Sequence, residues 1–231
     1  MLLLSEYYLN RLSGLRLKEV YDIAPPRVKK YLDAELTHVL QEIRHDHLVI
    51  ELGCGYGRIL PQLAKTAKWA VGIDISASSL EFARNFLHGI SNISLSMMNA
   101  VSLGYRDQTF DRVVCIQNGI SAFHVDQRAL ISESIRVTRP GGMVLFSSYS
   151  DKFWRDRVRW FELQSQAGLV GEIDYERTKE GVIVCKDGFT ATTVRPEDFL
   201  RLTRDLNSQV RIVEVDESSL FCEVMPRKHV R

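Results

Sequence analysis

Apolar residues recur along the chain at two periods, and the way the periods alternate sets the architecture. Short aliphatic runs of strand type fall at 48–52, 69–73, 92–97, 112–117 and 143–148, each of strand length and too short for an ordinary helix. Between them come stripes at helical spacing: Ile59, Leu60, Leu63 and Ala64; Leu80, Phe82, Ala83, Phe86 and Leu87; Leu130, Ile131, Ile135 and Val137. Strand and helix in strict alternation predict a doubly wound α/β sheet with right-handed crossovers. Two helices precede it. One is carried by Tyr7, Tyr8, Leu12 and Leu15, and the other by Val28, Tyr31, Leu32, Leu36, Val39, Leu40 and Ile43, behind Pro25 and Pro26, which suit a helix start.

After residue 150 the pattern changes. Phe153, Trp154, Val158 and Phe161 mark one face of a helix whose other face carries Lys152, Arg155, Arg157 and Arg159, read as a solvated basic face, with a docking face for an acidic substrate, RNA or protein as the alternative. A three-stranded meander is expected over 171–194, turning at 179–181 and at Asp187-Gly188. A helix follows with Pro196 in its first turn. Strands at 210–215 and 220–225 then form an antiparallel pair, and 227–231 is a solvated tail.

The first strand ends in Glu51, and glycines then stand at every second position: Gly53, Gly55 and Gly57. Without a Cβ they turn the chain tightly and let backbone approach a ligand, so this turn reads as the floor of a binding site. The phosphate-cradling GxxxxGK[ST] spacing is absent, and Arg58 stands where a dinucleotide fingerprint wants a third small residue beside a pyrophosphate. The second strand ends in Asp74, placed where doubly wound folds hold ribose hydroxyls; an Asp closing a strand into a turn is the plainer alternative.

The E-x-G-x-G-x-G run resembles motif I of the class I S-adenosylmethionine (SAM)-dependent methyltransferases. The Gly-Ile-Asp-Ile-Ser stretch at 72–76 is similar to motif II, Gln117-Asn118-Gly119 to the motif IV loop, and Arg139-Pro140-Gly141-Gly142 to the turn before the fifth strand. The resemblance covers about 45–150 and 195–225. It implies a seven-stranded, mostly parallel sheet in the order 3-2-1-4-5-7-6, with N-terminal helices and a small antiparallel cap inserted after strand 5. It divides the chain into a helical lid, 1–44, and a SAM-binding domain, 45–231, with the cap at about 151–194. The implied cofactor is SAM, with S-adenosylhomocysteine as product. Its contacts would be Glu51, Gly53, Cys54, Gly55, Gly57 and Arg58 from the turn, Asp74 on the ribose, Ile75 on the adenine face, Asn99 and Ala100 at the adenine edge, and Gln117 and Asn118 beyond strand 4. Asn99 departs from the Asp usual in the family, but its amide oxygen can still accept. Tyr21, Asn118, His124 and Tyr149 are the substrate-side candidates, with Tyr21 as a lid aromatic or simply helix core. No metal is implied.

Composition narrows the partners. A formal net charge of +1 over 231 residues lacks the basic excess of a nucleic-acid-binding surface, and the (N/D)PP(Y/F) loop with which the family's nucleic-acid amino methyltransferases grip a flipped base is missing. The expected activity is therefore methyl transfer to a small molecule. RNA or protein as acceptor is the alternative, and a non-catalytic SAM- or dinucleotide-binding module is the third reading. Cys54, Cys115, Cys185 and Cys222 are scattered, with no CxxC pair, as expected for reduced thiols of a cytoplasmic protein. No apolar run approaches a membrane span.

Overall fold

The computed structural model describes Tyr7 and residues 11–227. Helices α1 (Leu15–Asp22) and α2 (Pro26–Gln41) precede β1 (Leu48–Leu52), α3 (Leu60–Thr66), β2 (Trp69–Asp74), α4 (Ala77–Phe86), β3 (Ile93–Met97) and β4 (Phe110–Cys115). Then come α5 (Gly119–Ala122), α6 (Gln127–Val137), β5 (Thr138–Tyr149), a 3-10 turn (Asp151–Phe153) and α7 (Trp154–Gln166). Two short strands, β6 (Ile183–Val184) and β7 (Thr190–Ala191), are followed by α8 (Pro196–Thr203), β8 (Ser208–Val215) and β9 (Ser219–Pro226). The main sheet has seven strands in the order β3-β2-β1-β4-β5-β9-β8. Five are parallel, and β9 and β8 run antiparallel at one end. With β8 and β9 as the sixth and seventh strands, this is the order the resemblance implies.

Strand pleat explains why the middles of the central strands are apolar on both faces. Ile50, Val71, Val113 and Val144 enter one core with Leu130 and Phe199, while Val49, Ala70, Val114 and Leu145 enter the opposite one with Leu60, Leu63 and Leu80. Successive side chains point to opposite faces, and helices cover both, so no position can be polar at low cost. A third core, separate from the sheet, joins Tyr7, Val28 and Tyr31 of the N-terminal segment to Phe153, Trp160, Phe161 and Phe189.

Several expectations need correction. The first helix begins at Leu15, whose side chain is 57% exposed; burial comes instead from Tyr7 and Leu12 ahead of it, and Tyr8 lies outside the described residues. Phe86 is 44% exposed rather than inward. Strand β4 begins earlier and stops at Cys115, because Gln117 and Asn118 are both left-handed, with φ of 56° and 61°. The 139–142 stretch is a bulge within β5: the register passes from Phe110↔Thr138 to Arg112↔Met143, so four residues face Asp111 alone. The Asp111 carboxylate ties that bulge to β1, pairing with Arg139 and accepting from the Leu48 amide at 2.8 Å.

The meander reduces to the two-residue strands β6 and β7 with isolated bridges Ile173↔Cys185 and Lys179↔Val182. Arg157 is not on a solvated face. It is 1% exposed, and its guanidinium donates to the Gly181, Ala191 and Thr192 carbonyls and to Thr193 Oγ1 at 2.6–3.3 Å. The inserted segment has too few ladder bonds to satisfy its own carbonyls, and a buried cation with several donors does so instead. Of the tail, 228–231 lies outside the described residues.

Candidate functional site

The strand ends β1, β2 and β4 open onto a cavity of about 490 Å³, on the side where doubly wound sheets receive ligands. Its floor is the glycine turn. At Gly53, φ is +70°, and a Cβ would lie 2.4 Å from the Phe123 ring, so the position requires glycine both for its backbone and for the close approach of that ring. The Gly55 amide donates to Asp74 Oδ2, and the Ser76 amide to Asp74 Oδ1, each at 2.8 Å. Asp74 therefore staples the turn to the end of β2 and still has lone pairs facing the cavity. Burial pushes its pKa up, against the stabilising amides of Ser76 and Gly55.

Two charged atoms in this wall are unsatisfied. Glu51 Oε2 and Arg58 Nη2 are buried and have no hydrogen-bond partner among the described residues. Burial lifts the Glu51 carboxyl well above the usual range, with the Arg58 charge opposing. A buried carboxylate and a guanidinium nitrogen left unpaired are costly, which is the mark of a site built for a ligand.

The roof comes from the N-terminal helices and the inserted segment. Tyr21 on α1 donates to Gln117 Oε1 at 2.7 Å, and Arg58 lies over its ring, 4.9 Å from the centroid. Leu17 and Val20 of α1 and Trp160, Phe161 and Gln164 of α7 complete that wall; the Trp160 indole is fixed by its bond to the Val20 carbonyl at 3.0 Å. Gln117 is held from behind. Its amide donates to Ser147 Oγ at 2.8 Å and to Glu35 Oε2 at 3.1 Å. Glu35 is a fully buried carboxylate of α2 whose other oxygen accepts from Ser219 at 2.6 Å, and burial raises its pKa against the Ser147 and Ser219 hydrogen bonds.

The cavity brings together Tyr21, Glu51, Gly53, Cys54, Gly55, Arg58, Asp74, Ile75, Asn99, Ala100, Gln117, His124 and Tyr149. Asn99 Oδ1 also accepts from the Val101 amide at 3.1 Å, closing a local turn. Tyr149 stands at the end of β5 under the Arg157 guanidinium, 4.2 Å from its ring centre. Burial pushes the Tyr149 hydroxyl up to about 12, with the Arg157 charge opposing. Two sequence-predicted residues are not in the wall. Gly57 faces Leu87 and Leu60, and Asn118 spends its amide between Ser148 Oγ and the Thr192 carbonyl, both at 2.8 Å. Tyr56, Phe123, Trp160, Phe161 and Phe189 line the cavity and escaped the sequence reading, since periodicity does not separate a wall aromatic from a core aromatic. Among the described residues there is no group of three or more His, Cys, Asp or Glu able to hold a metal ion, and no helix long and apolar enough to cross a membrane.

Comparison with known proteins agrees with this geometry. Residues 49–142 match the model of a methyltransferase domain. The chain is 30% identical over 146 residues to a malonyl-[acyl-carrier protein] O-methyltransferase of Yersinia pestis, covering 59% of this chain and 48% of that protein. It is 28% identical over 140 residues to a ubiquinone biosynthesis O-methyltransferase of Coxiella burnetii, covering 60% and 56%. The chain thus spans about half the length of these curated relatives. Its fold superposes on a SAM-dependent methyltransferase of Methanosarcina mazei with a TM-score of 0.62 at 19% identity, over 82% of this chain and 97% of the other. Strand order and glycine turn agree with the class I SAM-dependent methyltransferase fold, and residues 49–142 match a methyltransferase domain.

Proposed function

We propose that the chain is a SAM-dependent methyltransferase acting on a small-molecule acceptor. The observation that carries this reading is the unpartnered Glu51 carboxyl oxygen and Arg58 guanidinium nitrogen beside the glycine turn, which suit the ammonium and carboxylate of a methionine end. Asp74 would hold the ribose, Ile75, Asn99 and Ala100 the adenine, and Gly53, Cys54 and Gly55 the floor; Tyr21 and Gln117 would close over the cofactor from the acceptor side. When bound, SAM supplies an activated methyl group. The protein's own part is to align an acceptor with that group and to exclude water, and alignment is worth about 7–11 kcal/mol of barrier.

A small acceptor is favoured by the roof of α1 and α7 over the cavity and by the O-methyltransferase names of the relatives. In this reading residues 1–44 serve as lid and about 151–194 as acceptor-side cap. The basic helix loses weight as a macromolecular docking face because Arg157 is turned inward. Four free, buried cysteines support a reducing, cytoplasmic setting.

Thermal shift with SAM, S-adenosylhomocysteine and NAD is the test, since a bound ligand raises apparent stability. The first two should stabilise the protein; stabilisation by NAD alone would refute the reading. Asp74→Ala should weaken SAM binding by about 1.5–3 kcal/mol, the scale of a hydrogen bond to a charged group. Unchanged affinity by calorimetry would reduce Asp74 to a turn staple.

A further inference from the structure

The buried residues of α7 are Arg157, Trp160, Phe161 and Gln164, one stripe at the helical spacing that ordinarily carries apolar side chains. Its two polar members are satisfied in different ways. The Arg157 guanidinium is committed to the carbonyls of Gly181, Ala191 and Thr192. Gln164 is 3% exposed and lines the cavity, yet its side-chain amide makes no hydrogen bond to any described residue. Asn118, a second buried amide, shows the contrast. Its oxygen accepts from Ser148 Oγ and its nitrogen donates to the Thr192 carbonyl, both at 2.8 Å. A buried amide with its donors and its carbonyl left open is costly unless a ligand fills them. Gln164 also lies beyond residues 49–142, the matched stretch that holds Glu51, Asp74 and the rest of the floor.

The neighbours of that amide restrict what it can receive. To the cavity lining the inserted segment supplies Trp160, Phe161, Gln164 and Phe189. The Phe161 and Phe189 ring centres are 5.8 Å apart, which makes this wall a seat for apolar surface. Trp160 has its one donor on the Val20 carbonyl at 3.0 Å, so the open polar group on this side of the cavity is the Gln164 amide. No charge accompanies it. An anion would be desolvated against this wall without a cation to meet it, and a cation without an anion.

Resting on the methyltransferase reading, we propose that Gln164 selects the methyl acceptor, and that the acceptor is a neutral molecule, apolar over most of its surface, with a group that both donates and accepts hydrogen bonds, a carboxamide or a hydroxyl. The amide gives an N–H to that group and takes a proton donor from it, while the aromatic rings hold the apolar body.

The test uses the full chain saturated with S-adenosylhomocysteine and titrated with benzamide, with benzoate, its anion of the same shape, and with toluene, which lacks the polar group; binding is followed by ligand-observed NMR. The parent should hold benzamide more than about tenfold more tightly than benzoate. Gln164→Met, close in size but without the amide, should weaken benzamide about three- to tenfold, the scale of one neutral hydrogen bond, and leave toluene and S-adenosylhomocysteine within about threefold. The variant should unfold in urea at or above the midpoint of the parent, because an unsatisfied buried amide has been replaced by an apolar group; a glutamine with a structural role would lower it. No benzamide binding up to its solubility, benzoate bound as tightly as benzamide, benzamide affinity unchanged in Gln164→Met, a larger loss of S-adenosylhomocysteine, or a lower urea midpoint in both Gln164→Met and Gln164→Leu would each overturn the assignment while leaving the methyltransferase reading intact. Failure of S-adenosylhomocysteine to bind the parent chain would overturn both.

Discussion

Gly53→Ala separates the cofactor floor from ordinary turn stability. At φ of +70° an added Cβ costs about 1–2 kcal/mol of backbone strain. The same Cβ would stand 2.4 Å from both Cε1 and Cζ of Phe123, so the ring must retreat by about 1 Å to reach a normal carbon contact. Phe123 is packed against the sheet core and against Gly119, and overpacking of that kind costs about 1–3 kcal/mol. The total loss of stability is about 2–5 kcal/mol, with the displaced ring in the cavity wall. Gly57→Ala is the control. Its φ is +82°, and its Cβ would meet the Leu87 and Leu60 side chains at 2.8 and 3.3 Å, behind the cavity. Urea denaturation should show comparable losses for the two variants, within about 2 kcal/mol of each other. Calorimetry should separate them: Gly53→Ala loses more than about tenfold in SAM affinity, at least 1.4 kcal/mol, and Gly57→Ala only a few fold. A folded Gly53→Ala that binds SAM like the parent would refute the assignment of this turn as the floor.

Arg157→Met keeps the stem but removes the donors to the Gly181, Ala191 and Thr192 carbonyls; stability should fall by about 3–5 kcal/mol, and faster amide exchange at 190–194 than at β1 would localise the damage, whereas unchanged exchange there would contradict the strut role. His47 is buried, and burial, with Arg112 and Arg44 nearby, lowers its pKa to about 4. The unfolded chain, with an imidazole near 6.5, thus binds more protons between those values, so stability rises with pH there and is lost as pH falls from about 6.5 to 4, by up to about 3 kcal/mol. Urea midpoints across that window should fall in the parent and flatten in His47→Gln; an equally steep variant would remove His47 as the cause.

The parallel core was legible because its strands leave no choice: Ile50 and Val49 are buried on opposite faces, so an uninterrupted apolar run survives in the sequence. The glycine turn was legible because few residues adopt φ of +70°. What escaped notice depends on partners remote in sequence. Arg157 has helical spacing and a charge, and only carbonyls 24 to 35 residues away make it a buried residue. Glu35 lay unnoticed in the stripe of α2, since its hydroxyl and amide donors belong to Ser219 and Gln117. Asn118 was found as a loop residue, but which way it faces depends on Ser148 and Thr192. The strands β6 and β7 are only two residues each, too short for alternation to mark their limits.

The contacts that fasten the N-terminal segment have a consequence for the chain as it is synthesised. Tyr7 bonds Asp187, Arg27 bonds Asp216, Glu35 bonds Ser219 and His38 meets Glu223, across separations of 180 to 189 residues. Segments emerge from the ribosome N-terminus first, at about 5–20 residues per second. Tyr7 and helix α2 thus wait roughly ten seconds or more for these partners. Until β9 exists, Glu35 lacks the Ser219 hydroxyl and His38 its Glu223 partner, so in a nascent chain halted before residue 216 helix α2 is without these anchors and without Asp216 for Arg27. Any stabilisation that needs α2 docked behind Gln117 therefore comes only after these residues have emerged.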